Sequence, residues 1–567
     1  MLTVAFIIMF FYGRLVSLLI YQISWSNGAS GVFPKAGATA SLLCKPWPWL
    51  LHLAMLWPLS QISWHTLPAL QTFAILVAIL LAIGSVGRLG TGDLGHFWLD
   101  RALVICLTAC VPLSPLFLYL AIIASCALQY TVASWKLGPG YSNLLGFEWI
   151  RASACVLIAC LSIGGWLNLF SGNFSHIELL TFAVVLAFQA STYVNHALAK
   201  SALGSHWYSW IAENRIQCLI VNSWLRGWTM CRNQSSLLKL AALIGRFRIL
   251  ICAIAWSIEM SWILILFSPQ LAIYIITVTI ALHLVVFIFT GLASYHYLAS
   301  HIFFLTLLTQ IPSFPETLWL ASLVVIILYA IWTAIIRTKI FNDYRANKNH
   351  RSGPGCLADA ADHLMAWWDS PSMRMFCFTV QTSSGTEYFL PTSKLSPHDT
   401  SLTDIHTHLM ILGIHPDLDP VISRDQKHAR TGVWGLVIDR NDRDLLYRMM
   451  DQKTDPSRFK TPAHFTPWEC FSTHEHPQPA RHLHDFFQSI SMDKYRRHLL
   501  WPHFPGEDLA PDRCPIADLP TQTFSFQEPI FKITLWRIKT WFSGDEISLL
   551  ERSPVGIIHL QSPTHKP

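Results

Sequence analysis

Residues 179–200 read LLTFAVVLAFQASTYVNHALAK, and residues 206–228 read HWYSWIAENRIQCLIVNSWLRGW. The first stretch is apolar from Leu179 to Ala199, long enough to cross a bilayer, for which a helix needs about 20 apolar residues. It closes on a single cation, Lys200, placed at or just inside a membrane boundary, where the charge must snorkel, pair or do chemistry. The second stretch crowds tryptophans, Glu213 and arginines directly behind it. A lone snorkelling anchor needs none of that company.

Composition points the same way. Of 567 residues 52% are hydrophobic, and only 13% are charged, against about 25% in soluble proteins. With a mean hydropathy of +0.39, the chain is expected to be an integral membrane protein in contact with lipid. The net charge of +6 is modest, and the basic residues are scattered between apolar spans, so no nucleic-acid partner is expected. The 13 cysteines include no CxxC pair. Those at 106, 110, 126, 155, 160 and 252 fall in apolar spans, where a thiol behaves as a small hydrophobe. The first twenty residues lack a positive n-region and read as an anchor helix.

Apolar segments of spanning length recur at 2–20, 68–87, 102–128, 150–170, 178–199, 248–268, 271–293 and 317–336, with shorter pieces at 48–60 and 297–309. The fold expected is a polytopic all-α membrane bundle of about eight to ten transmembrane helices followed by a smaller soluble α+β region. The transmembrane part covers 1–340, a basic linker 341–356 and the C-terminal region 357–567. Arg337, Lys339, Arg345, Lys348 and Arg351 leave the last span together. By the positive-inside rule they put the C-terminal region in the cytoplasm. Strand-like runs follow at Met375–Gln381, Glu387–Leu390, Gly432–Ile438, Thr523–Phe526 and Phe531–Phe542, the first two flanking a Ser383-Ser384-Gly385 turn. Asp444–Met450 reads as helix.

Three groups of residues carry a resemblance. Tyr193-Val-Asn-His-Ala-Leu-Ala-Lys200 is followed by Trp207, Trp210, Glu213, Asn214 and Arg226-Gly227-Trp228. Glu259 lies about a turn after Trp256 in an apolar span. His283 stands in a late span that ends Thr290-Gly291-Leu292. Over residues 60–340 this pattern resembles the horizontally transferred transmembrane (HTTM) family, which includes the vitamin K-dependent gamma-glutamyl carboxylases. One position differs: Ala197 stands where that family usually carries glycine. The resemblance implies an enzyme in which a reduced quinone and oxygen generate a strong base for carboxylating a glutamate side chain. It also implies that Lys200 inherits the role of deprotonating the hydroquinone. Desolvating an ammonium group makes lysine a usable base, and a membrane-edge position sets it beside a lipid-soluble quinone. The family works with its C-terminal region on the lumenal or outer side, which conflicts with the loop charges.

The candidate catalytic residues are therefore Lys200, Glu259 and His283. The candidate substrate-binding residues are Tyr193, Trp207, Trp210 and Glu213. A carboxylate inside an apolar span costs several kcal/mol unless paired, and Lys200 or Arg248 could supply the partner of Glu259. A mid-span histidine can equally be satisfied by one interhelical hydrogen bond. His296 and His301 read as interfacial. Asp100 with Arg101 and Glu148 with Arg151 read as helix anchors. His406 and His408, and the cluster of His474, His476, His482, His484, Asp485 and Cys470, have chelating spacing but lie in Pro-rich polar sequence, so no metal is expected. The sequons at Asn173 and Asn233 decide nothing.

The leading expectation is a membrane enzyme acting on a quinone or a lipid-proximal or peptide substrate through a buried Lys/Glu/His cluster. A transporter would need an inverted repeat with matching broken helices, and none is visible. A non-catalytic anchor displaying the C-terminal domain would tolerate replacement of Lys200, Glu259 and His283.

Overall fold

Prolines divide the apolar part of the chain into helices. The computed structural model describes residues 3–13, 16, 54–60, 62–88, 97–133, 145–166, 174–225, 229, 231, 233–290, 295–346, 368–390, 436–437, 440–453, 519–524, 528 and 530–559. Short helical stretches at Thr3–Gly13 and 54–60 precede the main run. That run is α1 (Pro68–Arg88), α2 (Phe97–Cys110), α3 (Pro115–Ala133), α4 (Leu145–Trp166), α5 (Phe174–Ser201) and α6 (Ser209–Glu213). It continues with α7 (Ile216–Leu225), α8 (Gln234–Ser261), α9 (Pro269–Thr290), α10 (Tyr295–Leu308) and α11 (Glu316–Ala346).

The segment expected at 102–128 is two helices. Pro115 has no amide hydrogen for the Val111 carbonyl, so the helix breaks there. The stranded carbonyls take side-chain donors instead: Trp64 Nε1 donates to Val111 O at 2.7 Å and Gln71 Nε2 to Pro112 O at 2.9 Å. Ser114 Oγ then accepts from Leu116 N at 3.3 Å, and proline in the first helical position starts α3. The same device opens α9, where Ser268 Oγ accepts from Leu271 N at 3.1 Å. Asn233, of one sequon, is the N-cap of α8, accepting from Ser236 N at 2.8 Å.

Among the described residues two helical stretches are long and apolar enough to cross a membrane: 89% of Glu178–Ser201 is buried, against 22% of Pro269–Thr290. The difference makes α5 the central helix and α9 a peripheral one. α5 packs against α4, α8 and α11. Near its start Glu178 accepts amides from Ala69 (2.9 Å) and Leu70 (3.3 Å), placing a carboxylate at the positive end of α1. α11 continues to Ala346, beyond the expected boundary at 340.

The C-terminal part contains β1 (Trp368–Asp369), β2 (Ser372–Thr382), β3 (Glu387–Leu390), β4 (Leu436–Val437), α12 (Arg440–Asp451), β5 (Ile530–Phe542) and β6 (Ile547–His559). β3, β2, β5 and β6 form an antiparallel sheet in that order, and β1 pairs with β4. The β2–β3 hairpin turns at Gly385, whose φ of 84° is one glycine adopts without a Cβ penalty. Of the run expected at Thr523–Phe526, Thr523 bridges to Phe389, and residues 525 and 526 lie outside the described residues. β6 has no counterpart among the expected strands: Pro554 and Gly556 interrupt its pattern. The ladder shifts register between them, where Leu535 pairs with Gly556 and Trp536 with Pro554, and shifts once more at Leu550, as an edge strand permits. The protein is thus mostly helical, with a smaller strand-containing region at its C-terminus.

The two parts share a core. Trp210, Trp224 and Leu237 from the helices cluster with Trp368, Met373, Leu446 and Trp541 from the C-terminal part. Arg226–Trp228, Gly291, Leu292, Asn173, residues 347–367, all the chelating-type histidines with Asp485 and Cys470, and the side chains of Asp100, Arg101, Glu148, Arg151 and His296 lie outside the described residues.

Candidate functional site

On α5, Gln189, Tyr193, His196 and Lys200 recur at intervals of three and four residues and so share one helix face. They span roughly 16 Å at about 1.5 Å per residue. Two groups of partners meet this stripe.

At its end, Lys200 Nζ donates to both oxygens of Glu259, at 2.5 and 2.6 Å. The side chains are 14% and 12% exposed, so the pair is shielded without being sealed. Trp256, one turn before Glu259 on α8, donates from Nε1 to Ala197 O at 3.0 Å and Ser201 Oγ at 2.9 Å. The i, i+3 spacing on α8 therefore grips both the lysine and the last turn of α5. The Trp210 ring lies 4.8 Å from Lys200 Nζ, and Trp207, 60% exposed, packs on Trp256 at 5.3 Å. The chain returns to Lys200 by a tight path: a Cβ on Gly204 would lie 2.0 Å from Ser209 Cβ, so only glycine fits.

Deeper in the bundle the Tyr193 hydroxyl lies 2.6 Å from His283 Nε2 and 3.4 Å from His301 Nε2. Gln189 Nε2 is 2.7 Å from His301 Nε2. The Tyr193 ring stacks on Trp262 at 4.5 Å, and His283 stacks on Tyr297 at 5.6 Å. His301 is 0% exposed, not interfacial as its position in the sequence suggested. It lies mid-helix in α10 and faces α5, where Gln189 and Tyr193 meet it.

Lys200 and Glu259 are thus paired directly, with Glu259 choosing Lys200 over Arg248, whereas His283 joins Tyr193. His196 lies between the groups along the α5 face, and its Nε2 is buried without a hydrogen-bond partner. Glu213 leaves the cluster for an ion pair with Arg443. Gln189, His196, Trp262, Tyr297 and His301 went unrecognised in the sequence. The i, i+4, i+7, i+11 spacing on α5 was the available signal for the first two.

The strand-containing region docks just beyond Lys200. Asn214 exchanges two hydrogen bonds with Asp369: Nδ2 to Oδ2 at 2.8 Å, and Asp369 N to Oδ1 at 2.9 Å. Arg215 binds both oxygens of Asp451 at 2.9 and 2.7 Å, and Asn222 donates to Ser370 O at 3.1 Å. Arg443, 3% exposed, joins Glu213 and Asp444 and lies 4.1 Å from the Trp368 ring centre. The Tyr447 hydroxyl donates to Asp369 O at 2.9 Å. Burial first, then Cys218 and Asp369, push it well above its usual 10.0, while Arg215 opposes them. Among the described residues no group of three or more His, Cys, Asp or Glu could hold a metal.

No family model, no curated protein and no solved structure matches this chain.

Proposed function

We propose that this is a multi-pass membrane enzyme of the HTTM type, resembling the vitamin K-dependent gamma-glutamyl carboxylases. Lys200, steered by Glu259, is its proton-accepting group, and a lipid-soluble reduced quinone is its co-substrate. The observation that carries this reading is the Lys200–Glu259 pair, which remains partly accessible at the end of the most buried span. A structural ion pair alone would not need exposed aromatic faces beside it.

Membrane embedding in about eight to ten spans is supported by apolar side chains left uncovered on the outer helices. These include Phe247, Leu250 and Ile254 on α8, Leu284, Val285 and Ile288 on α9, and Val324, Ile327 and Ile331 on α11. Bare apolar faces of this extent suit lipid contact.

The exposed Trp207, packed on Trp256, and the Trp210 face beside Lys200 Nζ are the aromatic groups that a flat ligand at this end of α5 would meet. When bound, a reduced quinone would supply the electrons for reaction with oxygen. Glu259 holds Nζ through both oxygens and compensates its charge as it takes a proton. The Trp210 face stabilises the same cation. Glu213, Asn214 and Arg215 anchor the C-terminal region on the Lys200 side, where it would present a peptide or protein substrate. The basic residues at the end of α11 favour a cytoplasmic side.

That anchoring also favours a second reading, a non-catalytic scaffold in which the helices serve to display the strand-containing region. The deciding experiment is oxygen-dependent consumption of a reduced naphthoquinone by the purified protein and by Lys200→Ala. Consumption lost in the variant, with the fold intact, supports the enzyme. Wild-type protein inactive both alone and with glutamate-containing peptides favours the scaffold.

A further inference from the structure

The mechanism above uses Lys200 and Glu259 and leaves the deeper histidine group without a task. Buried imidazoles in an apolar bundle are costly and call for an account. A phenol carries one hydrogen and accepts through its lone pairs, so it can donate to one imidazole while accepting from another. Tyr193 sits between two, on different helices: His283 of α9 at 2.6 Å and His301 of α10 at 3.4 Å.

We propose that Tyr193 is a proton-transfer switch between His283 and His301.

The step balances within the trio. His301 releases a proton from Nε2 to the Tyr193 oxygen as the Tyr193 hydroxyl hydrogen passes to His283 Nε2. Tyrosine is unchanged and one proton has crossed from α10 to α9. Gln189 serves either state of His301. Its Nε2, 2.7 Å away, donates to an unprotonated ring nitrogen. Its Oε1, buried and without a partner, accepts from a protonated one after the amide turns over. The rings are held in place by the Trp262 stack on Tyr193 and the Tyr297 stack on His283. His283 and His301 are 5.8 Å apart between ring centres. The titratable groups facing the switch are His196 on α5 and Tyr297 on α10, with Lys200 and Glu259 one to two turns further along. The proposal rests on this geometry and does not depend on the quinone reading.

Nitrogen-15 NMR of histidine-labelled full-length protein in lipid nanodiscs tests it. In wild type, His283 and His301 should titrate as a coupled pair, changing together. Tyr193→Phe, which retains the ring for the Trp262 stack, should uncouple them and separate their midpoints by about one pH unit or more. Independent titration in wild type, identical curves in Tyr193→Phe, or no change of either ring over the range in which the protein stays folded would overturn the switch. If Tyr193→Phe does not fold, His301→Gln should displace the His283 curve to the same effect, and an unmoved curve counts against it.

Discussion

Replacing both partners of the Lys200–Glu259 pair should cost less than the two single replacements added together. Each side chain is largely buried, so removing one strands the other. A fully buried charge left alone costs about 3–5 kcal/mol, whereas an exposed pair is worth about 0–1 kcal/mol. At 14% and 12% exposure the pair lies nearer the buried limit. Glu259→Gln keeps one acceptor for Nζ, and the Trp210 face still holds the cation at 4.8 Å, an interaction worth about 0.5–2 kcal/mol. Its expected cost is about 2 kcal/mol. Lys200→Met leaves a carboxylate with no cation and should cost about 3 kcal/mol. The double variant removes both charges and fills the space with apolar and neutral groups, so it should cost about 2 kcal/mol, not the sum. The coupling is then about 3 kcal/mol. Equilibrium unfolding in mixed micelles measures all four corners of the cycle. Single costs that add to within about 0.5 kcal/mol would show no mutual dependence and refute the reasoning.

Arg443→Ala removes the ion pair with Glu213 and the stack on Trp368. It should loosen the strand-containing region by about 2–4 kcal/mol, seen as faster limited proteolysis C-terminal to α11 while the helices stay resistant. Tyr447→Phe removes the donor to the Asp369 carbonyl and the acceptor of the Arg215 amide, at about 1–3 kcal/mol near neutral pH. Because folding raises the Tyr447 hydroxyl above its usual 10.0, its stabilisation is complete below that pH and is lost as pH climbs through the folded-state value. Alkaline unfolding should therefore be less steep in Tyr447→Phe than in wild type. Gly204→Ala forces a Cβ against Ser209 and should displace α6. Loss of the Trp210 contact with Lys200 would appear as a change in tryptophan emission, and an unchanged spectrum would count against the close approach.

Much of the architecture was legible because it depends on local sequence. The span from Leu179 to Ala199 is a helix because apolar length demands it. Met375–Gln381, Glu387–Leu390 and Phe531–Phe542 are strands because of β-branched and aromatic residues punctuated by Ser383-Ser384-Gly385. β6 was missed because Pro554 and Gly556 obscure its pattern, and the register shift between Leu535 and Trp536 of β5 falls where those two residues pair. The segment 102–128 read as one apolar run interrupted by Pro112 and Pro115, and it folds as two helices. That the break would be tolerated depended on Trp64 and Gln71, distant in sequence, reaching the freed carbonyls.

For the candidate site, the resemblance pointed to Tyr193, Lys200, Glu259 and His283, and the last three stood out as well because a charge or imidazole in an apolar run is costly wherever the chain puts it. The partners came from tertiary structure alone. Glu259 could have met Lys200 or Arg248, and the packing of α8 on α5 chose the lysine. Glu213 went to Arg443 because the strand-containing region docks there. His301 was drawn inward because α10 turns that face toward Gln189 and Tyr193. Burial cost acts on each residue by itself and can be read along the chain, whereas pairing depends on which helices lie side by side.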